Sequence, residues 1–251
     1  MIARTPTQVE GLREAGKRMR IVVDEVMALV RPGVGSMELE MKAREVTARV
    51  EAEPSYLGYK NQGEDAYPAA LCVSVNNEIA HSPPKPEKIL KAGDVVSVDF
   101  GLVYKGYFMD TAYTVAVGEV DAAAKNLIEG TREALPVAID AARVGNTVGD
   151  IGAAVEKMAK KYKLGIVKDL RGHGVGNDVH EDPNVPNFGK AGKGEKLVEG
   201  MVLALEPIFA EGGGALIDGG DGFTYSTSDG SRAAHFEHTI LITKDGPEIL
   251  T

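Results

Sequence analysis

The chain has 251 residues, 43% hydrophobic and 26% charged, a balance that excludes a disordered chain and a membrane-embedded one and suits one large α/β domain. Its single cysteine, Cys72, excludes an internal disulfide framework and fits a reducing compartment. With 28 Lys+Arg against 37 Asp+Glu the net charge is -9, which argues against a nucleic-acid platform, because that surface needs clustered basic side chains.

In chain order, the opening Met1-Ile2-Ala3-Arg4-Thr5-Pro6 lacks the apolar core and small-residue cleavage site of a signal peptide, so a cytoplasmic protein is expected. Thr7-Gln8-Val9-Glu10 has capping-box spacing, and Val9, Leu12, Met19, Val22, Val23, Val26, Met27 and Val30 recur at helical intervals. The most apolar part, Ile21 to Val30, is interrupted by Asp24 and Glu25 and falls far short of the ~20 residues a bilayer needs. Arg31-Pro32-Gly33 stops this helix. Ser36 is expected to cap a second one running to about Glu53, striped by Leu39, Ala43, Val46 and Val50.

Two strand hairpins are expected next. Leu71 to Val75 turns at Asn76-Asn77 into Glu78 to His81. Asp94 to Phe100 returns through Val103-Tyr104-Lys105-Gly106 into Tyr107 to Val117. The proline cluster Ser82-Pro83-Pro84-Lys85-Pro86 reads as a rigid surface loop. A helix from about Asp121 to Arg143 follows, then Thr147 caps another to Tyr162, and strand signals resume after Lys163. Arg31-Pro32-Gly33-Val34-Gly35-Ser36 compared with Arg143-Val144-Gly145-Asn146-Thr147 suggests a repeat of about 112 residues. The expectation is one catalytic domain over 1–251, with similar halves at about 7–117 and 121–250 whose sheets face a shared cleft.

Five residues sit uncomfortably in their local context. Asp99 lies in the otherwise apolar Val95-Val96-Ser97-Val98-Asp99-Phe100, and Asp110 lies in the returning strand. With an even-numbered loop between those strands, opposed residues have an odd number sum, so both carboxylates share one face, opposite or diagonal. Glu206 ends Met201-Val202-Leu203-Ala204-Leu205 and is locked by Pro207, while Glu237 lies inside His235 to Ile242. Burial of each acid is costly. His173 lies in Gly172-His173-Gly174, with no strand or helix pattern around it, and its flanking glycines permit close backbone approach.

The plainer readings carry weight when each residue is taken alone. A lone acid in an apolar strand is more often hydrogen-bonded at a sheet edge than a ligand, and Gly-His-Gly by itself is as often structural. His81 and His180 alone read as surface histidines, and Cys72 as packing. Gly212-Gly213-Gly214 and Gly219-Gly220-Asp221-Gly222 read as loops, lacking the strand before and helix after of a phosphate cradle. Four acids and one histidine at strand ends and glycine turns together, however, are a donor set for divalent cations.

The ordered set Asp99, Asp110, Gly172-His173-Gly174-Val175-Gly176 with His180-Glu181, Leu205-Glu206-Pro207 and Phe236-Glu237-His238-Thr239 closely resembles the type I methionine aminopeptidases, across nearly the whole chain. The resemblance implies an α/β (α+β) pita-bread fold: two pseudo-symmetric halves with antiparallel sheets around a central dinuclear metal site, helices outside. It further implies that Asp99 chelates one metal, His173 and Glu206 bind the other, and Asp110 and Glu237 bridge them. Paired cations acidify a water, and the resulting hydroxide attacks the carbonyl after an N-terminal methionine. By the same resemblance Glu206 handles the proton, His81 contacts the scissile amide nitrogen and His180 stabilises the developing negative oxygen. Tyr67, Cys72, Phe223 and His81 form the side-chain pocket, an apolar slot with a soft sulfur suited to a thioether.

The implied cofactors are two divalent ions, with Co, Mn, Fe and Zn all compatible with one imidazole and four carboxylates. The implied partners are N-termini of nascent polypeptides near the ribosome, with no nucleic acid and no membrane, and a monomer is expected. The chain departs from the family pattern at the pocket rim. Residues 60–66 form a longer link between Leu57-Gly58-Tyr59 and Tyr67-Pro68. Val179 replaces a common phenylalanine, Phe223 a common tryptophan, and His81-Ser82-Pro83-Pro84 a more usual His-Gly-Ile-Pro. A proline-specific peptidase of the same fold, a metal-free binding homologue and a metal-storage protein are the alternatives; the first usually has an added N-terminal domain, and the others leave the retained ligands or His81 and His180 without a purpose.

Overall fold

The computed structural model describes residues 1–60 and 65–251. Helix α1 (Pro6–Met27) is capped by Thr5, whose hydroxyl accepts the Gln8 N–H while the Gln8 side chain accepts the N–H of Thr5. The box thus forms two residues before the expected Thr7. Pro6 is the cause: it suits the first helical position and forces the preceding residue into the extended conformation a cap requires, seen in Thr5 at φ -125° and ψ 150°.

Helix α2 (Ser36–Arg49) also shifts. Gly35 takes the cap position and donates its N–H to Glu38 at 2.9 Å, while the Ser36 hydroxyl donates to the Lys85 carbonyl. The helix ends short of Glu53 because Glu51 adopts a left-handed φ of 58° and turns the chain into β1 (Glu53–Pro54).

Strands β2 (Leu71–Val75) and β3 (Glu78–Ala80) are present, but the expected pairing between them is replaced: β2 runs along β4 (Val95–Tyr104), whereas β3 joins a separate small sheet. The reason is local. Glu78 turns its carboxylate back onto the N–H of Val75, and Asn76 bonds to Asp94 and to the N–H of Val95, which divides the two strands between different partners. β4 and β5 (Tyr107–Ala116) form a ten-residue hairpin in continuous register.

Helices α3 (Ala122–Ala141), capped by Asp121 on the Ala124 N–H, and α4 (Val148–Tyr162) follow. At the start of α4, Thr147 donates its N–H and hydroxyl to Asp150. The remaining strands are β6 (Gly165–Ile166), β7 (Gly172–Gly174), β8 (Glu181–Val185), β9 (Val202–Leu205), β10 (Ile208–Ala210), β11 (Leu216–Asp218), β12 (Tyr225–Thr227), β13 (Ala233–His235), β14 (Glu237–Thr243) and β15 (Gly246–Ile249).

The main sheet runs β1-β4-β5-β14-β9-β7-β8, with β2 on β4 and β15 on β14; β13-β10-β6 and β11-β12-β3 form two smaller sheets. All the pairings are antiparallel. Leu12, Met19 and Val26 of α1 and Leu39 and Val46 of α2 pack with Val96, Val98 and Phe100 of β4. Leu127 and Leu135 of α3 and Ile151 and Val155 of α4 pack with Leu203, Leu205, Ile240 and Ile242. Because strand side chains alternate, the even positions of β4 serve this core and leave Asp99 and Gly101 on the other face. Among the described residues no helix is long and apolar enough to cross a membrane.

Candidate metal centre and substrate cleft

Register alone brings the five singled-out donors together. Cys72, Asp99, Ala112 and Glu237 face one another in a row across β2, β4, β5 and β14. The β14–β9 ladder pairs His238 with Leu205, so Glu206, one residue further, arrives level with Glu237. A second row, two residues along, contains Gly101 opposite Asp110, and His173 opposite Ala204, which in turn faces Thr239. Thr239 ties the row at its centre by accepting the Asp110 N–H and donating to the Asp110 carbonyl. Two such rows on one face of a sheet are neighbours.

His173 lies on a strand, not in the unpatterned loop expected. Its glycines are needed for close strand approach: a side chain on Gly174 would meet the Asp182 carbonyl at 2.2 Å, and one on Gly172 the Ala204 carbonyl at 2.5 Å. His173 Nδ1 lies 2.9 Å from the Gly174 carbonyl and so donates to it, leaving Nε2 to face Asp110 and Glu206, each at 3.8 Å. Donor atoms of Asp110, His173 and Glu237 lie within 4.8 Å of one another.

Electrostatics show what this cluster suits. Burial, then repulsion from Asp99, drives the Asp110 carboxyl well above its ordinary range; burial followed by Asp110 and Glu206 does the same to Glu237. Oε1 of Glu237 is buried with no hydrogen-bond partner. An unpartnered buried carboxylate oxygen in a cluster of carboxylates beside an imidazole nitrogen is a fit for hard or borderline divalent cations. Burial also raises Glu206, but the adjacent His235, His173 and His81 outweigh it and hold that carboxyl below the usual range.

Four of the five histidines line one cleft of about 760 Å³: His81, His173, His180 and His235. His81 follows β3 and sits in the left-handed region at φ 56°, a conformation that costs about 1 to 3 kcal/mol in a non-glycine residue and persists where the surroundings enforce it. His180 stands against the His173 ring at 4.5 Å, with its Nδ1 2.9 Å from the Tyr59 hydroxyl.

The pocket residues named from sequence also converge. Tyr67 and Cys72 are buried together beside Phe223, whose ring meets that of Tyr67 edge-on at 5.5 Å. Sequence reasoning missed two neighbours. Tyr56 completes this slot, and its hydroxyl proton is shared between Asp99 Oδ1, at 2.7 Å, and Asp110 Oδ1. It reaches them across Gly101, where a side chain would overlap the Tyr56 ring at 2.4 Å; an isolated glycine inside a strand was the available signal. The other is His235, two residues before Glu237 and therefore of the same strand parity. The long link at 60–66 falls partly outside the described residues.

The unusual Ser82 has a use. Buried, it accepts from Lys88 Nζ at 2.6 Å and from the Thr224 hydroxyl at 3.1 Å, tying the segment after His81 to the turn that carries Phe223. Asp221 holds that turn by accepting from the N–H groups of Phe223 and Thr224 and from Lys85 Nζ. Asp221→Ala is expected to cost about 2 kcal/mol in denaturant unfolding, the range of hydrogen bonds to a charged group. Partial burial raises the Asp221 carboxyl, but Lys85 and Thr224 more than offset this and leave it depressed. Its contribution is therefore complete above the unfolded value near pH 4 and is lost as pH falls below that. The parent-to-variant difference should shrink between about pH 4 and pH 2; a constant difference would refute the assignment.

The fold and this cleft define a metal-dependent hydrolase. The chain belongs to metallopeptidase family M24, which its sequence matches over residues 10–244. It is 47% identical to a methionine aminopeptidase of Aquifex aeolicus, over 97% of this chain and 96% of that one. The crystal structure of a methionine aminopeptidase from Thermotoga maritima superposes with a TM-score of 0.95 at 42% identity, covering 100% of this chain and 99% of that one. A prolidase from Pyrococcus furiosus, 23% identical with a TM-score of 0.79 over 100% of this chain and 65% of its own, shares the pita-bread fold.

Proposed function

We propose that the protein removes the N-terminal methionine from nascent proteins and peptides, preferring a small second residue. The observation that carries this reading is the placement, in one cleft, of a carboxylate–imidazole cluster beside a slot of Tyr56, Tyr67, Cys72 and Phe223. A thioether chain suits that slot, since sulfur makes favourable contacts with aromatic rings. The full-length methionine aminopeptidase relatives support it further.

In this reading the whole chain is one catalytic domain. The half at about 7–117 contributes Asp99 and Asp110, and that at 121–250 contributes His173, Glu206 and Glu237. Asp99 would hold one cation, His173 and Glu206 a second, and Asp110 and Glu237 both; Co, Mn, Fe and Zn all suit the set. Divalent cations there supply Lewis acidity and bring the pKa of water toward neutrality. Glu206, ionised because of its histidine neighbours, takes the proton from the attacking water. His81 faces the scissile amide nitrogen, and His180 the oxygen that gains negative charge. The protein would work as a monomer in the cytoplasm, on chains emerging from the ribosome.

The test is kcat/KM for Met-Ala, Met-Val, Leu-Ala and Ala-Pro peptides with Mn(II) or Co(II) supplied. Met-Ala is expected to be cut fastest. With Phe223 and Val179 in place of bulkier residues, Leu-Ala is expected to follow with a loss of about 1 to 3 kcal/mol, or 10- to 200-fold. A preference for Ala-Pro would move the protein to proline-specific chemistry.

A further inference from the structure

His235 is the one cleft histidine with no role so far. Its residue is 3% exposed, yet neither ring nitrogen has a hydrogen-bond partner. An unpaired buried polar group is expensive, so its position calls for an explanation. Nε2 lies 3.4 Å from Glu206 Oε2 and 3.6 Å from Glu237 Oε2. The His235 main chain is held in place: the N–H donates to Thr114 Oγ1 at 2.8 Å, the carbonyl accepts from the same hydroxyl at 2.7 Å, and the residue pairs with Ile208 across β10 and β13.

Which oxygens face it decides the role. Glu206 turns Oε2 to His235 and Oε1 to His173. Glu237 turns Oε2 to His235 and leaves Oε1 unpartnered. Each glutamate therefore shows one oxygen to His235 and keeps the other available.

We propose that His235 is a positioning residue whose Nε2 edge is directed between Glu206 and Glu237, holding both carboxylates by close-range attraction with one oxygen of each presented for a cation. The proposal rests on the reading that these glutamates bind divalent cations. A donor behind an anionic ligand orients it and reduces the freedom it must lose on binding, and removing such a donor commonly weakens metal affinity 10- to 100-fold. A glutamine at this position keeps an N–H donor of similar reach, whereas alanine has none.

The experiment is calorimetric titration of the metal-free protein with Mn(II), alongside visible absorption of the Co(II) form, for the parent, His235→Ala and His235→Gln. Circular dichroism of each metal-free protein establishes that it is folded. His235→Ala is expected to bind Mn(II) 10- to 100-fold more weakly, with a changed Co(II) spectrum, and His235→Gln to recover most of the affinity and the parent spectrum. Parental affinity in a folded His235→Ala overturns the proposal. So does a glutamine variant as weak as the alanine one with a Co(II) spectrum showing one nitrogen ligand fewer, since His235 would then be a ligand itself. A parent that binds no Mn(II) or Co(II) overturns instead the reading on which the proposal stands.

Discussion

Glu206→Gln and Asp99→Asn are each expected to abolish peptidase activity, by on the order of 10³-fold or more, while the fold survives. The estimate follows from losing an anionic ligand in a site where, in the proposed reading, cations would supply several kcal/mol of transition-state stabilisation. The fold should survive because these acids oppose one another. Burial and mutual repulsion already push Asp110 and Glu237 far above their ordinary range. Asp99→Asn removes a charge that repels Asp110 and Glu237, so its metal-free form should melt no lower than the metal-free parent, whereas Glu206→Gln also gives up the attraction of His235, His173 and His81 and should melt somewhat lower while staying folded.

Adding Mn(II) favours the parent over both. A ligand at 100 times its dissociation constant stabilises the folded state by about 2.7 kcal/mol, a gain the parent should show and the variants should largely lack. Thermal melts with and without Mn(II), together with metal content and turnover of Met-Ala peptide, check all three expectations. Full turnover by either variant with cations supplied would show that the assigned acids are not ligands.

The convergence of these acids was partly legible in the sequence because a strand has a period of two. Parity alone placed Asp99 and Asp110 on one face, and the register confirms the diagonal arrangement, with Asp99 opposite Ala112 and Asp110 opposite Gly101. Parity within one hairpin says nothing of which strand comes next, so the arrival of β14 beside β5, and of β9 beside β14, comes only from the structure. His173 reads as a loop residue because a single residue between two glycines carries no alternation. The β2–β3 pairing failed for a different reason: Glu78 and Asn76 spend their side chains on the turn and redirect both strands, which hydrophobic pattern does not encode. His235 shares the parity of Glu237, but an imidazole in an otherwise apolar segment resembles packing until both of its nitrogens are seen buried without partners.

His81→Ala should divide the site along its structural seam, with turnover falling about 10²- to 10⁴-fold, the span of a lost acid–base group, while Mn(II) affinity stays at the parent value. The division follows from where the residue comes from. Asp99, Asp110, His173 and Glu237 are carried by the nine-stranded sheet, and Glu206 directly follows its strand β9, but His81 follows β3 of the separate β11-β12-β3 sheet. Truncating it leaves those rows untouched. The left-handed backbone adds a complication, since alanine there keeps the strain without the contacts that justify it, at about 1 to 2 kcal/mol. His81→Asn controls for this, because asparagine tolerates left-handed φ better than most residues. Both variants should lose turnover, and only the alanine variant should also lose appreciable stability. If His81→Ala instead purifies with its cation affinity gone, His81 is a ligand. If His81→Asn restores turnover along with stability, then the backbone conformation, not the imidazole, was what the cleft required.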